Sequence, residues 1–250
     1  MAEKKVVLFI VEGANDQIAL ANPLENLLSS ESLTFQITGG DITSDKLGKN
    51  IKAKVGDVIK QHCKHYKLKL SDIIEVVLLI DMDGAYIPPD SIILDANNKN
   101  AFYKEDAVLH YCPEMLYETH LRKQQNLNTL VGTGKIMGIL FSIYYVSCNL
   151  DHVICNDANL SQARKREEAG RFEEKYSDDS FGFIDFFQEG LARERSYPES
   201  WQTIRAEATS LKRLSNLNIF LSVDAKSIPR DFSHLRTPEN HNENGGWGHD

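Results

Sequence analysis

No stretch of this 250-residue chain approaches the roughly 18 to 20 consecutive apolar residues that a bilayer-spanning helix requires, so the sequence offers no helical membrane span. The opening MAEKKVVLFIVEG places lysines before an apolar stretch, but that stretch is too short for a secretory signal and runs straight into Glu12. It reads as a first strand, and the protein is expected to be cytosolic. Cysteine is scarce: Cys63, Cys112, Cys148 and Cys155 are the only four. Without a secretion signal, disulfides are not expected. Neither His62, Cys63 and His65 nor Cys148, His152 and Cys155 supplies the paired, short-spaced ligands of a structural zinc site. Excess positive charge is missing too. A net charge of -8 argues against nonspecific nucleic-acid binding over the whole surface. Local patches remain open, with lysines clustered from Lys46 to Lys69 and arginines from Arg164 to Arg236, although a solvated helix face explains such charges equally well. There is no internal repeat.

What is present is an ordinary globular composition, 42% hydrophobic and 26% charged. Lys5 to Val11 is a nearly continuous apolar, β-branched run, as expected of a strand covered on both faces. It stops at Glu12-Gly13. Ala14 to Leu28 follows as a helix, with Asn15 or Asp16 able to cap it and Pro23 expected to kink or interrupt it. Leu33 to Thr38 predicts a second strand ending at the Gly39-Gly40 turn. Leu47 to Tyr66 carries Ile51, Val55, Val58 and Ile59 at helical spacing. Ile73 to Ile80 is another buried-strand run, ending at Asp81.

This alternation predicts an α/β fold, a parallel sheet flanked by helices, with acidic groups at the carboxyl ends of strands where ligand crevices form. Past about residue 110 the pattern changes. Glu114 to Asn126, Lys135 to Ser147, Leu160 to Tyr176 and Glu199 to Leu214 read as mainly helical, and Leu217 to Val223 as a last strand. The division is a core over 1–110, a mainly helical accessory region over 111–228, and a polar, loosely ordered tail over 229–250.

Two motifs carry chemistry, VEGANDQIAL at 11–20 and LLIDMDG at 78–84. Each is a hydrophobic strand that ends in carboxylates. Paired in one sheet, they would bring Glu12 to Asp81 and Asp83. Converging carboxylates repel one another unless a hard cation lies between them, and an oxygen-only set favours magnesium or manganese over zinc.

At these residues the chain resembles the Toprim family, the catalytic domain of topoisomerases, bacterial primases, OLD-type nucleases and small RNA-maturation nucleases. The matching features are a strand ending in Glu12-Gly13, a later strand ending in Asp81-Met82-Asp83, and the Thr38-Gly39-Gly40 turn. Asp16, in Glu-Gly-x-x-Asp, is similar to the nuclease and primase branches. The resemblance covers roughly the first 110 residues. It implies that Glu12 is a general acid/base or metal ligand, that Asp81 and Asp83 hold magnesium, and that Asp16 supports the metal directly or through water. It further implies cleavage of DNA or RNA phosphodiester bonds, and a free-standing protein of this type fits host defence. Position 85 is Ala, so the third aspartate of the topoisomerase pattern is missing. Gly132-Thr133-Gly134-Lys135 lacks the earlier glycine of a P-loop and is followed by Ile136, so an ATPase, if used, is a separate partner. Lys135, Lys212 and Arg213 are the candidate phosphate contacts.

Two other readings stand beside this one. LLIDMDGAYI also resembles the nucleophile motif of haloacid-dehalogenase-like phosphatases, with Asp81 attacking phosphate, Asp83 as acid/base, Ser147 as a second motif and Asp178-Asp179 as a metal pair. About 75 residues precede that motif, however, and Ala85 replaces the usual Thr. The third reading is a noncatalytic Toprim binding module. Trp201 and the Tyr144-Tyr145 pair are most simply packing residues.

Overall fold

Apolar runs that need cover on both faces dominate the architecture. The computed structural model describes residues 6–28, 32–46, 50–189, 191 and 196–222. In chain order the elements are β1 (Val6–Val11), α1 (Ala14–Leu27), β2 (Ser32–Ile37), α2 (Ile51–Tyr66), β3 (Ile73–Asp81), β4 (Ile92–Leu94), β5 (Phe102–Tyr103), β6 (Val108–His110), α3 (Pro113–Val131), β7 (Lys135–Ile136), β8 (Ile139–Val146), α4 (Leu150–Cys155), α5 (Gln162–Tyr176), α6 (Ser180–Glu189), α7 (Tyr197–Ile204) and α8 (Leu217–Ser222). Five strands form the main sheet in the order β2-β1-β3-β8-β7, parallel except for β7. All six residues of β1 are buried.

The path from β1 to β2 runs one way across the sheet, and the path from β2 to β3 runs the other. Right-handed crossovers therefore put α1 and α2 on opposite faces. Their packing agrees, with α1 against α5 and α6, and α2 against α3. The reversal makes a topological switch point between β1 and β3, where an open α/β sheet leaves a crevice at its carboxyl edge. The helical C-terminal region, α4 to α8, then covers the α1 side. Among the described residues, no helix is long and apolar enough to cross a membrane.

Local chemistry explains the helix starts. Gly13 is the N-cap of α1, and Asp16, at the third helical position, accepts the Gly13 N–H at 2.8 Å. Asp16 thus caps from inside the first turn rather than as the N-cap. Pro23 lies within α1 without ending it. The Asn50 side chain caps α2 by accepting the Lys52 N–H at 2.8 Å.

Three expectations from the sequence need correction. Lys135 to Ser147 is not helical: it holds β7 and β8, joined by a tight turn with Met137 and Gly138 at positive φ. The run ILFSIYYV is covered on both faces, so it has no amphipathic period to distinguish strand from helix. The sheet therefore takes a central strand from beyond residue 110. Leu217 to Ser222 is a helix, not a strand, and packs on β8 and α6. Glu199 to Leu214 is not one helix, because α7 stops at Ile204 and a separate 3-10 turn covers Glu207–Leu211. A small sheet, order β4-β6-β5, has no counterpart in the sequence reading; it is an insertion between β3 and α3. The expected tail over 229–250 lies outside the described residues. Trp201, Tyr144 and Tyr145 are buried packing residues.

One buried histidine gives the fold an acid sensitivity. His62 on α2 is fully buried, with Nδ1 3.2 Å from Gln36 Oε1 and Nε2 3.1 Å from Thr34 Oγ1. The Gln36 amide nitrogen bonds the Ile37 carbonyl, which leaves its oxygen as acceptor and suits a neutral imidazole protonated at Nδ1. Burial, then the nearby charge of His65, lowers its pKa from 6.5 to about 4. A lowered histidine pKa means that the unfolded chain binds the proton more readily, so stability falls as pH drops from 6.5 toward 4. A loss of roughly 2 kcal/mol at pH 5 is expected from this group. Urea denaturation at pH 7 and pH 5 checks it, and His62→Gln should shrink the difference between the two.

Candidate functional site

Glu12 follows the last residue of β1, and Asp81 ends β3, the strand beside it. The two stretches meet: the Asp81 N–H donates to Glu12 Oε1 at 3.2 Å. Backbone pairing fixes both ends. The Thr38 N–H bonds the Val11 carbonyl at 3.0 Å and the Gly39 N–H bonds the Glu12 carbonyl at 3.1 Å. The Met82 N–H bonds the Val146 carbonyl and the Asp83 N–H bonds the Cys148 carbonyl, each at 2.9 Å. Strand β8, whose sequence reads as helical, is therefore what holds the Asp-x-Asp turn.

The strand does not continue through that motif. Asp83 sits at φ 51°, in the left-handed region that a non-glycine residue occupies at a cost, and Gly84 follows at φ 69°. A Cβ at position 84 would be strained at this φ and would lie 2.8 Å from the Leu211 side chain, which would have to shift, so the position favours glycine. The turn aims Asp83 into the cleft that Asp81 also lines.

Burial dominates the electrostatics. Desolvation raises the Glu12 pKa well above its ordinary value, Asp41 and Asp83 push the same way, and Lys123 opposes them. Asp81 is also raised well above normal, first by burial and then by Glu12, Asp16 and Asp83. Burial, helped by Asp151, raises Asp16 to about 6 against the pull of its Gly13 hydrogen bond. The four acidic residues singled out by the sequence thus form one interacting set. Among the described residues, however, no three His, Cys, Asp or Glu side chains are already gathered closely enough to hold a metal ion.

Nothing in the sequence warns of the cation inside the cluster. Lys123 of α3 is 1% exposed, and its Nζ lies 2.6 Å from Asp83 Oδ2 and 2.9 Å from Asp41 Oδ2. Burial alone would lower a lysine pKa, but Asp41, Asp83 and Glu12 raise it well above normal. Asp41 is correspondingly held low: burial is outweighed by Lys123 and by hydrogen bonds from Thr43 and Ser44. On the α1 side a second pair stands nearby, Lys165 Nζ to Asp151 Oδ2 at 2.6 Å, with Lys165 lining the cleft. Asp83 has a further partner, because Tyr103 of β5 donates its hydroxyl to Oδ1 at 2.9 Å. Burial, then Asp83, pushes the Tyr103 pKa well above 10, so the phenol stays a donor.

Tyr103 is pinned in turn. Its N–H donates to Asn159 Oδ1 at 2.9 Å, and Asn159 Nδ2 donates back to its carbonyl at 2.8 Å. This reciprocal clamp ties the β4-β6-β5 insertion to the loop before α5, over the carboxylates. Beneath it lies a cavity of about 580 Å³ lined by Asp81, Asp83, Lys99, Phe102, Asn149 and Lys165 among others.

The three basic candidates fare differently. Lys135 pairs with Leu140 at the amino end of β8, whereas the site is at the carboxyl end. At about 3.3 Å per residue that separates them by about 20 Å, so Lys135 does not belong to the site. Arg213 is committed elsewhere, donating to the His152 and Val153 carbonyls at 2.6 to 3.2 Å. Lys212 is partly exposed in an adjoining hollow that shares Tyr103, Ala158 and Asn159 with the main cleft. No family model, curated protein or solved structure significantly matches this chain.

Proposed function

We propose that this chain is a magnesium- or manganese-dependent hydrolase of nucleic-acid phosphodiester bonds, of the Toprim type that its Glu12-Gly13 and Asp81-Met82-Asp83 motifs resemble. The observation that carries the reading is the 3.2 Å contact between the Asp81 N–H and Glu12 Oε1, which joins two motifs far apart in sequence at the switch point of the sheet. The donor set fits a hard divalent cation. It is oxygen-only, and Glu12 and Asp81 are raised first by burial and then by neighbouring carboxylates, a cost that a cation would relieve once the side chains close on it.

Asp81 and Asp83 would hold the metal, with Asp16 acting directly or through water. When bound, such an ion supplies Lewis acidity toward a phosphoryl oxygen and lowers the pKa of water. The chain's own residues do the rest. Glu12 has one oxygen engaged by the Asp81 N–H, and its raised pKa suits it to accept and return a proton at the other. Lys123 and Tyr103 grip the two oxygens of Asp83 and fix its plane. Lys212 in the adjoining hollow, now 3.5 Å from the exposed Glu105, would exchange that partner for a strand phosphate. A cytosolic role in host defence, with a separate ATPase, extends the same resemblance.

The phosphatase reading is weakened by Ser147. It is fully buried and donates to the Ser210 carbonyl at 3.0 Å, away from any incoming phosphate. One observation favours a noncatalytic module instead: Lys123 already neutralises Asp41 and Asp83, as a metal would. The test is to incubate the purified chain with labelled DNA and RNA, with MgCl2, MnCl2 or EDTA. Cleavage that requires a divalent cation is the expected result. Hydrolysis of p-nitrophenyl phosphate without strand cleavage would favour the phosphatase. Neither activity, with no heat of magnesium binding by calorimetry, would leave the binding module.

A further inference from the structure

We propose that the cleft beside Asp81 and Asp83 takes an unpaired nucleotide of a single strand, its base laid on Phe102; this rests on the hydrolase reading of the same site. The cleft holds about 580 Å³, a size typical of sites for small molecules and suited to one or two nucleotides. Insertion residues 97–103 line one part of it and residues 158–165 another, and the Asn159–Tyr103 clamp joins the two. A duplex brings a paired strand along with each phosphodiester, and a cleft of this volume does not hold both strands.

The lining matches a base and its phosphate. Phe102 lines the cleft and is 41% exposed, which leaves part of its ring free for a base. Base–aromatic stacking needs a free base face, which in a duplex is covered by neighbouring base pairs. The side chains of Asn97 and Asn100 line the same cleft and make no hydrogen bond among the described residues, which leaves both donors and acceptors for base edges. Lys99 is exposed on the same wall. Asp81 and Asp83 line the same cleft as Phe102, so a base laid on Phe102 shares that space with the carboxylates.

The test is fluorescence anisotropy with a labelled single-stranded 12-mer and a hairpin duplex of the same sequence, in CaCl2. The single strand should bind at least about tenfold tighter than the hairpin, and Phe102→Ala should weaken it about tenfold. Phe181→Ala, at a side chain 85% exposed on α6, should change nothing. Equal affinity for the hairpin, no binding of either, or an unaltered Phe102→Ala would overturn the proposal. A free mononucleotide binding as tightly as the 12-mer would overturn its strand component. The hydrolase reading fails separately: cleavage of duplex as fast as single strand would keep that reading and sink this one, and tight single-strand binding without cleavage would do the reverse.

Discussion

Replacing Asp81 with Asn is expected to lower cation-dependent cleavage by at least about a thousandfold, while raising the thermal midpoint of the cation-free protein. The two effects have one cause. Asp81 is desolvated and faces Glu12, Asp16 and Asp83, so its pKa in the folded chain lies well above the ordinary value. A carboxyl group with a raised folded-state pKa contributes its stability below the unfolded pKa, and loses it as pH rises through the folded value. Above the unfolded pKa, burying or neutralising this carboxylate costs folding free energy, and a neutral amide of nearly the same shape removes that cost. The backbone N–H that reaches Glu12 is untouched by the substitution.

Added MgCl2 should stabilise the wild type and leave the variant unchanged, because binding to the folded state alone raises stability. Thermal melts with and without the cation, run beside the cleavage assay, check both halves. An Asp81→Asn variant that cleaves at the wild-type rate would show the site to be misassigned. A lower midpoint would show that the charge on Asp81 is compensated.

The largest stability loss is expected from Lys123→Met. Methionine nearly matches the buried stem in volume but leaves Asp41 and Asp83 without the ammonium that bridges them. Removing one partner of a buried ion pair typically costs about 3–5 kcal/mol. Here the cost is expected toward the lower end, since Asp83 is 31% exposed on its side chain and keeps the Tyr103 hydroxyl. Urea denaturation with and without MgCl2 measures it. A loss below about 1 kcal/mol would mean that the bridge contributes little. If the variant binds magnesium more tightly than the wild type, lysine and cation compete for the same oxygens, which favours the noncatalytic module. If both bind well together, the lysine works beside the metal.

Much of the first half was legible because its signals were local. Val6 to Val11 and Ile73 to Asp81 are apolar runs bounded by charge, and Ile51, Val55 and Ile59 recur at helical spacing. The meeting of Glu12 with Asp81 follows from two such runs lying in one sheet. What failed was local ambiguity. Ile139 to Val146 has no period, and only its β-branched and aromatic content pointed to a strand. Leu217 to Ser222 is a short apolar run that could be either. Lys123 was invisible for another reason: one lysine among several polar residues of α3 carries no mark of burial until the fold turns it inward. Asp41 carries only a positional hint, its place just past the Gly39-Gly40 turn.

Strand β8 reaches its place only after the whole insertion and α3 have been made, because it pairs with β3 across that intervening length. During synthesis, β3 therefore leaves the ribosome with one hydrogen-bonding edge unpaired, a ready template for misjoining with another nascent chain. The Asp83 turn gains its two backbone anchors only when Val146 and Cys148 emerge. The turn at this sheet edge is thus assembled late, and a chain cut short near residue 110 would be sticky as well as incomplete at Asp83.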